Sequence, residues 1–160
     1  MRGDSRSEDW LTAESEATTA DPRYALALWM TDVDRGAGQL LARVIVNRVW
    51  QHHFGRGIVD TPNDFGFLGA KPTHPQLLDW LAGELIRNGW QLKPLHRLIM
   101  NSAAYRQASS ERWVELDRDN RLIWQHQTRR LEAEIIRDNI LSVSGALKKQ
   151  MYGPSTAIGS

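Results

Sequence analysis

Apolar residues along this chain recur mostly at helical spacing and are interrupted by short segments rich in glycine and proline. The polar residues Arg43, Asn47 and Gln51 fall four positions apart. This spacing favours a helix over the strand that the β-branched run at 44–46 would also allow. We therefore expect a central buried helix over about residues 39–54. Its apolar side chains are Leu41, Val44, Ile45, Val46, Val49, Trp50 and Phe54.

Three further helices are predicted on either side of this segment. Asp21 precedes Pro22, the arrangement of an N-cap with proline at the first helical position, and opens a short helix. Pro94 opens another short helix. Residues 130–144 form the last helix, which Gly145 should end. Its inward-facing residues are expected to be Leu131, Ile135, Ile136, Ile140 and Val143.

Two threonine-containing segments resemble helix starts of the capping-box type. Residues 61–64 (TPND) predict a single turn with an acid at the third position. Residues 73–76 (THPQ) repeat the arrangement at the start of an amphipathic helix that ends at Gly89. If Gly89 adopts the left-handed conformation, Trp90 packs on Leu85 in a Schellman motif.

These patterns indicate an all-α fold, an irregular multi-helix bundle with long loops punctuated by glycine and proline. Gly55 and Gly57 follow the central helix, where a left-handed residue is needed, and predict a sharp turn. The polar segment 1–20 is expected to be a disordered leader. Residues 21–155 are expected to form a single helical domain, truncated at its C-terminus, and residues 156–160 a tail.

The composition limits the classes of partner without defining a reaction. Twenty Lys and Arg against nineteen Asp and Glu leave a formal charge of +1, so we expect no nucleic-acid partner. The chain has no cysteine, which excludes disulfides, thiolate zinc sites and covalent haem attachment. No apolar run reaches the ~18 residues of a spanning helix, so no membrane span is expected.

Five blocks of sequence, in order, carry a resemblance to a known family. They are RVIVNRVWQHHFGRGIV, TPNDFG, PTHPQLLDWLA, GWQLKPLHRLIMNSAAYRQ and RRLEAEIIRDNILSVSG. Over roughly Arg23 to Ser155 the chain resembles the first half of a planctomycete-type, cytochrome-associated domain of unknown function, the planctomycete PSD family. Similar proteins continue beyond this point into the rest of the domain.

The resemblance implies a context and no reaction. The expected function is a structural or interaction module of a larger periplasmic or cell-envelope protein that also carries cytochrome c-type domains. The expected partners are the remainder of the same polypeptide or those cytochrome c-type domains. Haem would belong to the associated domains, and no cofactor is expected in this chain.

The alternative is a hydrolase or a metal-dependent enzyme with its site at the Gly55–His74 loop. The candidate catalytic residues are His53, Asp64 and His74, whose side chains could be assembled from separate segments. His52 and His53 are adjacent and point about 100° apart on a helix, so they do not chelate one ion comfortably. We therefore predict no metal site. His74 is interpreted as part of a helix start, and two other histidines as residues of polar helix faces, namely His96 and His126.

A second set of polar residues and one tryptophan could bind a ligand. Arginines and carboxylates on half-buried helix faces bind carboxylates or phosphates, or join loops through ion pairs, and the structural role is favoured. Trp80 lies off the apolar line of its helix and could be partly exposed, as part of a platform for a sugar or a flat cofactor; core packing is the favoured alternative. The candidate binding residues are Arg43, Asn47, Arg48, Asp79, Trp80 and Arg137.

Overall fold

The computed structural model describes residues 21–109 and 115–148. Within these ranges the chain forms five α-helices and no strand, which confirms the predicted all-α class. None of the described helices combines the length and apolar character needed to cross a membrane. The predicted leader and tail lie outside the described residues. The helices are α1 (Pro22–Thr31), α2 (Gly38–Phe54), α3 (Pro75–Arg87), α4 (Leu92–Met100) and α5 (Ala133–Val143).

The chain divides into two compact units, Met1–Gln127 and Thr128–Ser160. Helices α1 to α4 belong to the first unit, and α5 belongs to the second. The single helical domain expected over residues 21–155 stays a prediction.

In the first unit, α2 packs chiefly against α3, while α1 packs on α2 and α4 packs on α3. The predicted central helix is confirmed, beginning at Gly38. Val44 and Ile45 are only half-buried, whereas the smaller Ala42 is completely buried. The core of this unit consists of Ala42, Val46, Val49, Trp50, Phe54, Ile58, Val59, Leu78, Leu81, Ala82, Leu85, Leu95 and Ile99.

Several predicted helix ends are confirmed at the level of single hydrogen bonds. The Asp21 carboxylate accepts a bond from the Arg23 backbone N–H at 2.9 Å and caps α1. Gly55 follows the last residue of α2 as its C-cap, with a left-handed φ of 83° and an N–H that donates to Gln51 O at 2.8 Å. The predicted start of α4 at Pro94 is two residues late, because the helix begins at Leu92; Pro94 lies in its first turn, where its missing N–H has no helical partner to lose.

The end of α3 is the predicted Schellman motif. Gly89 has a φ of 62°, and its N–H donates to Ile86 O at 2.9 Å. The Trp90 N–H donates to Leu85 O at 2.9 Å, the second bond of the motif. Trp90 itself also has a φ of 62°, a conformation that the sequence pattern did not indicate.

Replacing Gly89 by Val should lower the free energy of unfolding by about 1–2 kcal/mol, the cost of a left-handed residue with a Cβ atom. A Cβ at this position would meet no atom within 4 Å apart from its chain neighbours, so we expect the cost to lie mainly in the backbone conformation. Urea denaturation followed by circular dichroism measures the change. Gly89→Asn is the matched control, because Asn tolerates the left-handed region and should lose much less. Equal stability of both variants and the parent would refute the role of Gly89.

Other expectations about helix starts, and one about burial, are wrong. His74, and not Thr73, is the N-cap of α3, and no side chain caps this helix. Thr73 is instead bonded through its N–H and hydroxyl to Ile58 O, at 2.9 and 3.2 Å. Helix α5 begins at Ala133 rather than 130, and none of its residues is buried. Gly145 ends α5 with a φ of 74°, as predicted.

Candidate interaction surface

A groove with a volume of about 280 Å³ lies between α2, α3 and the loop that joins them. Two of its lining residues are charged and the others are apolar. The volume is below the ~300–1,000 Å³ of typical pockets for small ligands and cofactors, so it suits individual side chains better. The lining residues are Leu40, Arg43, Val59, Phe65, Ala70, Pro72, Pro75, Leu78 and Asp79.

The loop exposes two large apolar side chains between the groove residues Phe65 and Ala70. Phe67 and Leu68 have relative exposures of 103% and 88%. Leu40, on the α2 side of the groove, is also exposed. Adjacent exposed apolar side chains beside a groove are characteristic of protein interaction sites. Sequence reasoning missed this pair, although the apolar run FGFL inside a loop was the available signal.

The loop is fixed to α2 by one buried amide. Asn47 Nδ2 donates to Val59 O at 2.9 Å, and the Val59 N–H donates to Asn47 Oδ1 at 2.8 Å. Asn47 has no exposed surface. The sequence predicts Asn47 as a candidate binding residue on a half-buried helix face, whereas the structure buries it completely. The amide satisfies both backbone groups of Val59, which would otherwise be unpaired inside the core.

Gly57 is required for this contact. A Cβ on Gly57 would lie 2.5 Å from Val59 O and 2.7 Å from Asn47 Nδ2, too close for any side chain. Gly57 does not have a positive φ, so the expected left-handed turn is formed by Gly55 alone. The glycine is needed here because two chain segments approach closely.

Hydrogen bonds inside the loop hold the residues on either side of Phe67. The Thr61 hydroxyl donates to Asp64 O at 2.7 Å and accepts from the Ala70 N–H at 2.9 Å. The Asp64 carboxylate accepts from the Gly66 N–H at 2.8 Å. The predicted single turn forms, but the reciprocal bonds of a capping box do not, because both side chains bond to other parts of the loop.

Two candidate binding residues meet at the rim of the groove. Arg43 Nε donates to Asp79 Oδ1 at 2.7 Å, joining α2 to α3. The side chains are 37% and 56% exposed, so this ion pair adds at most about 1 kcal/mol to stability. Arg48 Nη2 donates to Asn63 Oδ1 at 2.6 Å and provides a second tie between α2 and the loop.

The remaining candidates for binding lie apart from these contacts. Trp80, on α3, is 48% exposed. Arg137 belongs to the second unit, where its Nη1 lies 3.7 Å from Asp138 Oδ1.

The three candidate catalytic residues have separate partners. His53 Nε2 lies 2.8 Å from His96 Nδ1. His74 Nδ1 lies 3.0 Å from the Thr73 hydroxyl, at the start of α3 as the sequence indicated. Asp64 bonds within the loop, as described above. Among the described residues, no group of three or more His, Cys, Asp or Glu side chains is arranged to hold a metal ion. The absence of a bound metal stays a prediction.

A cluster of aromatic rings forms where α2 ends. Tyr105 contacts the His53 ring edge-on with centroids 5.4 Å apart, and contacts the His126 ring at 5.0 Å. His96 and His126 were expected on polar helix faces, but both are half-buried, and His126 lies outside the helices. Their rings pack against other aromatic rings rather than facing solvent.

An ion pair lies at the beginning of the loop. Arg56 forms a two-pronged contact with the Asp60 carboxylate, and Asp119 lies 3.8 Å from the Arg56 guanidinium. The hydrogen bond from Arg56 lowers the pKa of Asp60 below its ordinary value. Asp60 is therefore ionised and paired at neutral pH, which suits a structural role better than proton donation.

The fold and this surface define a helical domain with a candidate interaction surface built from an apolar groove and an exposed apolar loop. A family model described as PSD1, protein of unknown function (DUF1553), matches residues 22–159. The chain therefore belongs to this family, in agreement with the resemblance noted from its sequence. That it represents the first half of the family's domain stays a prediction. Searches of curated proteins and of solved structures found no match.

Proposed function

We propose that this chain is an interaction module of a larger periplasmic or cell-envelope protein that also carries cytochrome c-type domains. The observation that carries the proposal is the high exposure of Phe67 and Leu68 beside the apolar groove. The envelope setting and the cytochrome partners rest on the family resemblance. Haem would then be carried by the partner domain, since this chain has no cysteine for its covalent attachment.

The energetics of the loop favour a binding role over a catalytic one. Burying a large apolar side chain contributes about 1.5–3 kcal/mol, so covering Phe67 and Leu68 together contributes about 3–6 kcal/mol before the costs of association. The bonds of Thr61 and Asp64 already order the loop, which reduces the entropy that docking would otherwise lose. The loop is therefore already ordered before a protein partner binds.

The alternative of a hydrolase or metal-dependent enzyme would require convergence of polar side chains at the Gly55–His74 loop. The groove of that loop is lined mainly by apolar groups, and its two charged residues, Arg43 and Asp79, are paired with each other. His53, Asp64 and His74 bond elsewhere. No specific contact favours this alternative over binding.

The test is a titration of the isotope-labelled chain with a purified cytochrome c-type domain from the same protein, followed by amide chemical shifts. A second titration uses the rest of the polypeptide. We expect the amides of residues 65–70 to shift with at least one of these partners. The double variant Phe67→Ser, Leu68→Ser should weaken that binding by about tenfold or more, which corresponds to about 1.4 kcal/mol.

Leu122→Ser serves as the control, because Leu122 is also an exposed apolar residue of the first unit, at 72%. It should leave the affinity unchanged. If both variants weaken binding equally, the binding is due to non-specific hydrophobic association and not to this surface. If the chain binds neither of the two partners, the proposal is wrong.

A further inference from the structure

The candidate interaction surface carries a projection and a groove side by side. The projection consists of Phe67 and Leu68, which are both highly exposed. The groove has a volume of about 280 Å³ and is lined in part by two residues of the same loop, Phe65 and Ala70. The projecting pair lies between these two residues in the sequence. Both features therefore belong to one short loop of the first unit.

The groove suits the side chains that project beside it. Apart from Arg43 and Asp79, its lining residues are apolar. Arg43 and Asp79 are paired with each other, so an aromatic ring that enters the groove meets apolar walls and leaves no charge without a partner. The volume is enough for one or two apolar side chains and too small for most cofactors.

A face that carries both a projection and a groove of matching chemistry is self-complementary. In a twofold-symmetric pair, each copy presents the same face to the other. Phe67 of each copy then enters the groove of the other copy, and the contact forms twice. One copy alone does not make this contact, because its Phe67 side chain is exposed and does not fold back into its own groove.

The charges of this face also allow two identical copies to approach each other. The groove presents one arginine and one aspartate, and the segment 61–72 adds one acid and one base, Asp64 and Lys71. The formal charge of the whole chain is only +1. Two identical faces of a single sign would repel each other, whereas a face with balanced charges does not oppose self-association.

We infer that this face pairs two copies of the chain, with Phe67 of each copy inserted into the groove of the other. Two phenylalanine rings together bury about 300–500 Å² of surface. With Leu68 and the groove walls included, the interface lies at the low end of the sizes of specific complexes, at about 1,200 Å² or less. We therefore expect a weak dimer, with a dissociation constant between about 10 µM and 1 mM.

Pairing would control access to the surface. The side chains that a partner domain would cover are the same ones that the second copy covers. At high concentration of the chain, a partner domain must therefore displace the second copy. This competition rests on the proposed function, whereas the pairing itself does not.

The first test is analytical ultracentrifugation of the unmodified chain at concentrations from about 10 µM to 1 mM, which span the expected dissociation constants. We expect the average mass to rise from that of a monomer toward that of a dimer. Phe67→Ser should raise the dissociation constant by at least about tenfold, because both contacts lose their anchor, and Leu122→Ser should leave it unchanged. A chain that stays monomeric throughout would overturn the inference, as would equal dimerisation of Phe67→Ser and the parent.

The second test separates reciprocal insertion from non-specific hydrophobic association. Leu40→Glu places a charge at the α2 side of the groove and should also suppress pairing. Leu92→Glu is the matched control, because Leu92 is a similarly exposed leucine at the start of α4, and it should dimerise like the parent.

A mixture of Phe67→Ser and Leu40→Glu contains one intact groove and one intact Phe67 side chain. Pairing should therefore return in the mixture, more weakly than in the parent because only one of the two contacts can form. Adding unlabelled Leu40→Glu to isotope-labelled Phe67→Ser should shift the amides that line the groove. If the mixture pairs no better than either variant alone, the inserted arrangement is wrong.

Titration with the partner domains at concentrations where the chain is monomeric separates this inference from the proposed function. A chain that binds a partner domain but never dimerises refutes the pairing alone. A chain that dimerises but binds neither partner refutes the proposed function alone.

Discussion

Replacing Asn47 by Ala should lower the free energy of unfolding by about 2–4 kcal/mol, because two buried backbone groups lose their partner together. The Val59 N–H and C=O are both bonded to the Asn47 amide, and neither the amide nor Val59 is accessible to replacement water in the folded chain. Urea denaturation at neutral pH measures the change. The fold is expected to survive with a lower midpoint.

Asn63→Ala is the matched control for this experiment, since it is the same chemical change at an exposed residue of the same loop. Asn63 accepts a single bond from Arg48, so its replacement should cost less than about 1 kcal/mol. Comparable losses of unfolding free energy in the two variants would contradict a special structural role of the Asn47–Val59 hydrogen bonds. Val59 also lines the groove, so Asn47→Ala should weaken partner binding even where most molecules remain folded.

Gly57→Ala should lower the free energy of unfolding by about 1–3 kcal/mol, the usual cost of forcing extra volume into a packed site. The added methyl group would overlap both Val59 O and the Asn47 amide, so the loop must move or the amide bonds must break. Thermal and urea denaturation measure the loss. A hydrogen-exchange experiment should locate the loosened amides at residue 59.

The control is Gly83→Ala, in the interior of α3. There the new methyl group would meet only the end of the flexible Arg87 side chain, at 3.2 Å. Alanine in a helix is favoured over glycine by about 0.5–1 kcal/mol, so this variant should be as stable as the parent or more stable. Opposite signs for one chemical change would separate steric overlap at Gly57 from any general effect of replacing glycine. A Gly57→Ala variant as stable as the parent would disprove the close approach.

Much of the fold was predictable because helix boundaries depend on local chemistry. Pro22 and Gly89 act on the backbone within one turn of their own positions, so their effect can be deduced without any tertiary contact. The weaker predictions depended on distant atoms. Thr73 has the sequence of a cap, but Ile58 O competes successfully for its hydroxyl.

In the candidate site, too, the features that could not be predicted depend on contacts between residues far apart in the sequence. Arg43 and Asp79 were both candidates, but their pairing joins positions 36 residues apart and follows from helix packing. Asn47 has the helical spacing of a polar-face residue, and sequence spacing does not distinguish an amide in water from an amide bonded to a buried loop. Phe67 was missed because apolar residues were assigned to helix faces, whereas this one lies in a turn.

The contacts that anchor the loop on α2 are separate from the side chains that the loop exposes. Its anchors are the Asn47 amide, the Gly57 backbone and the Thr61 hydroxyl, and none of them involves the side chain at position 67 or 68. Residues 67 and 68 can therefore be exchanged in the laboratory, or diverge between related proteins, with little effect on folding. A set of such exchanges would change which partner is recognised while the scaffold stays constant, making this loop a natural place to redesign specificity.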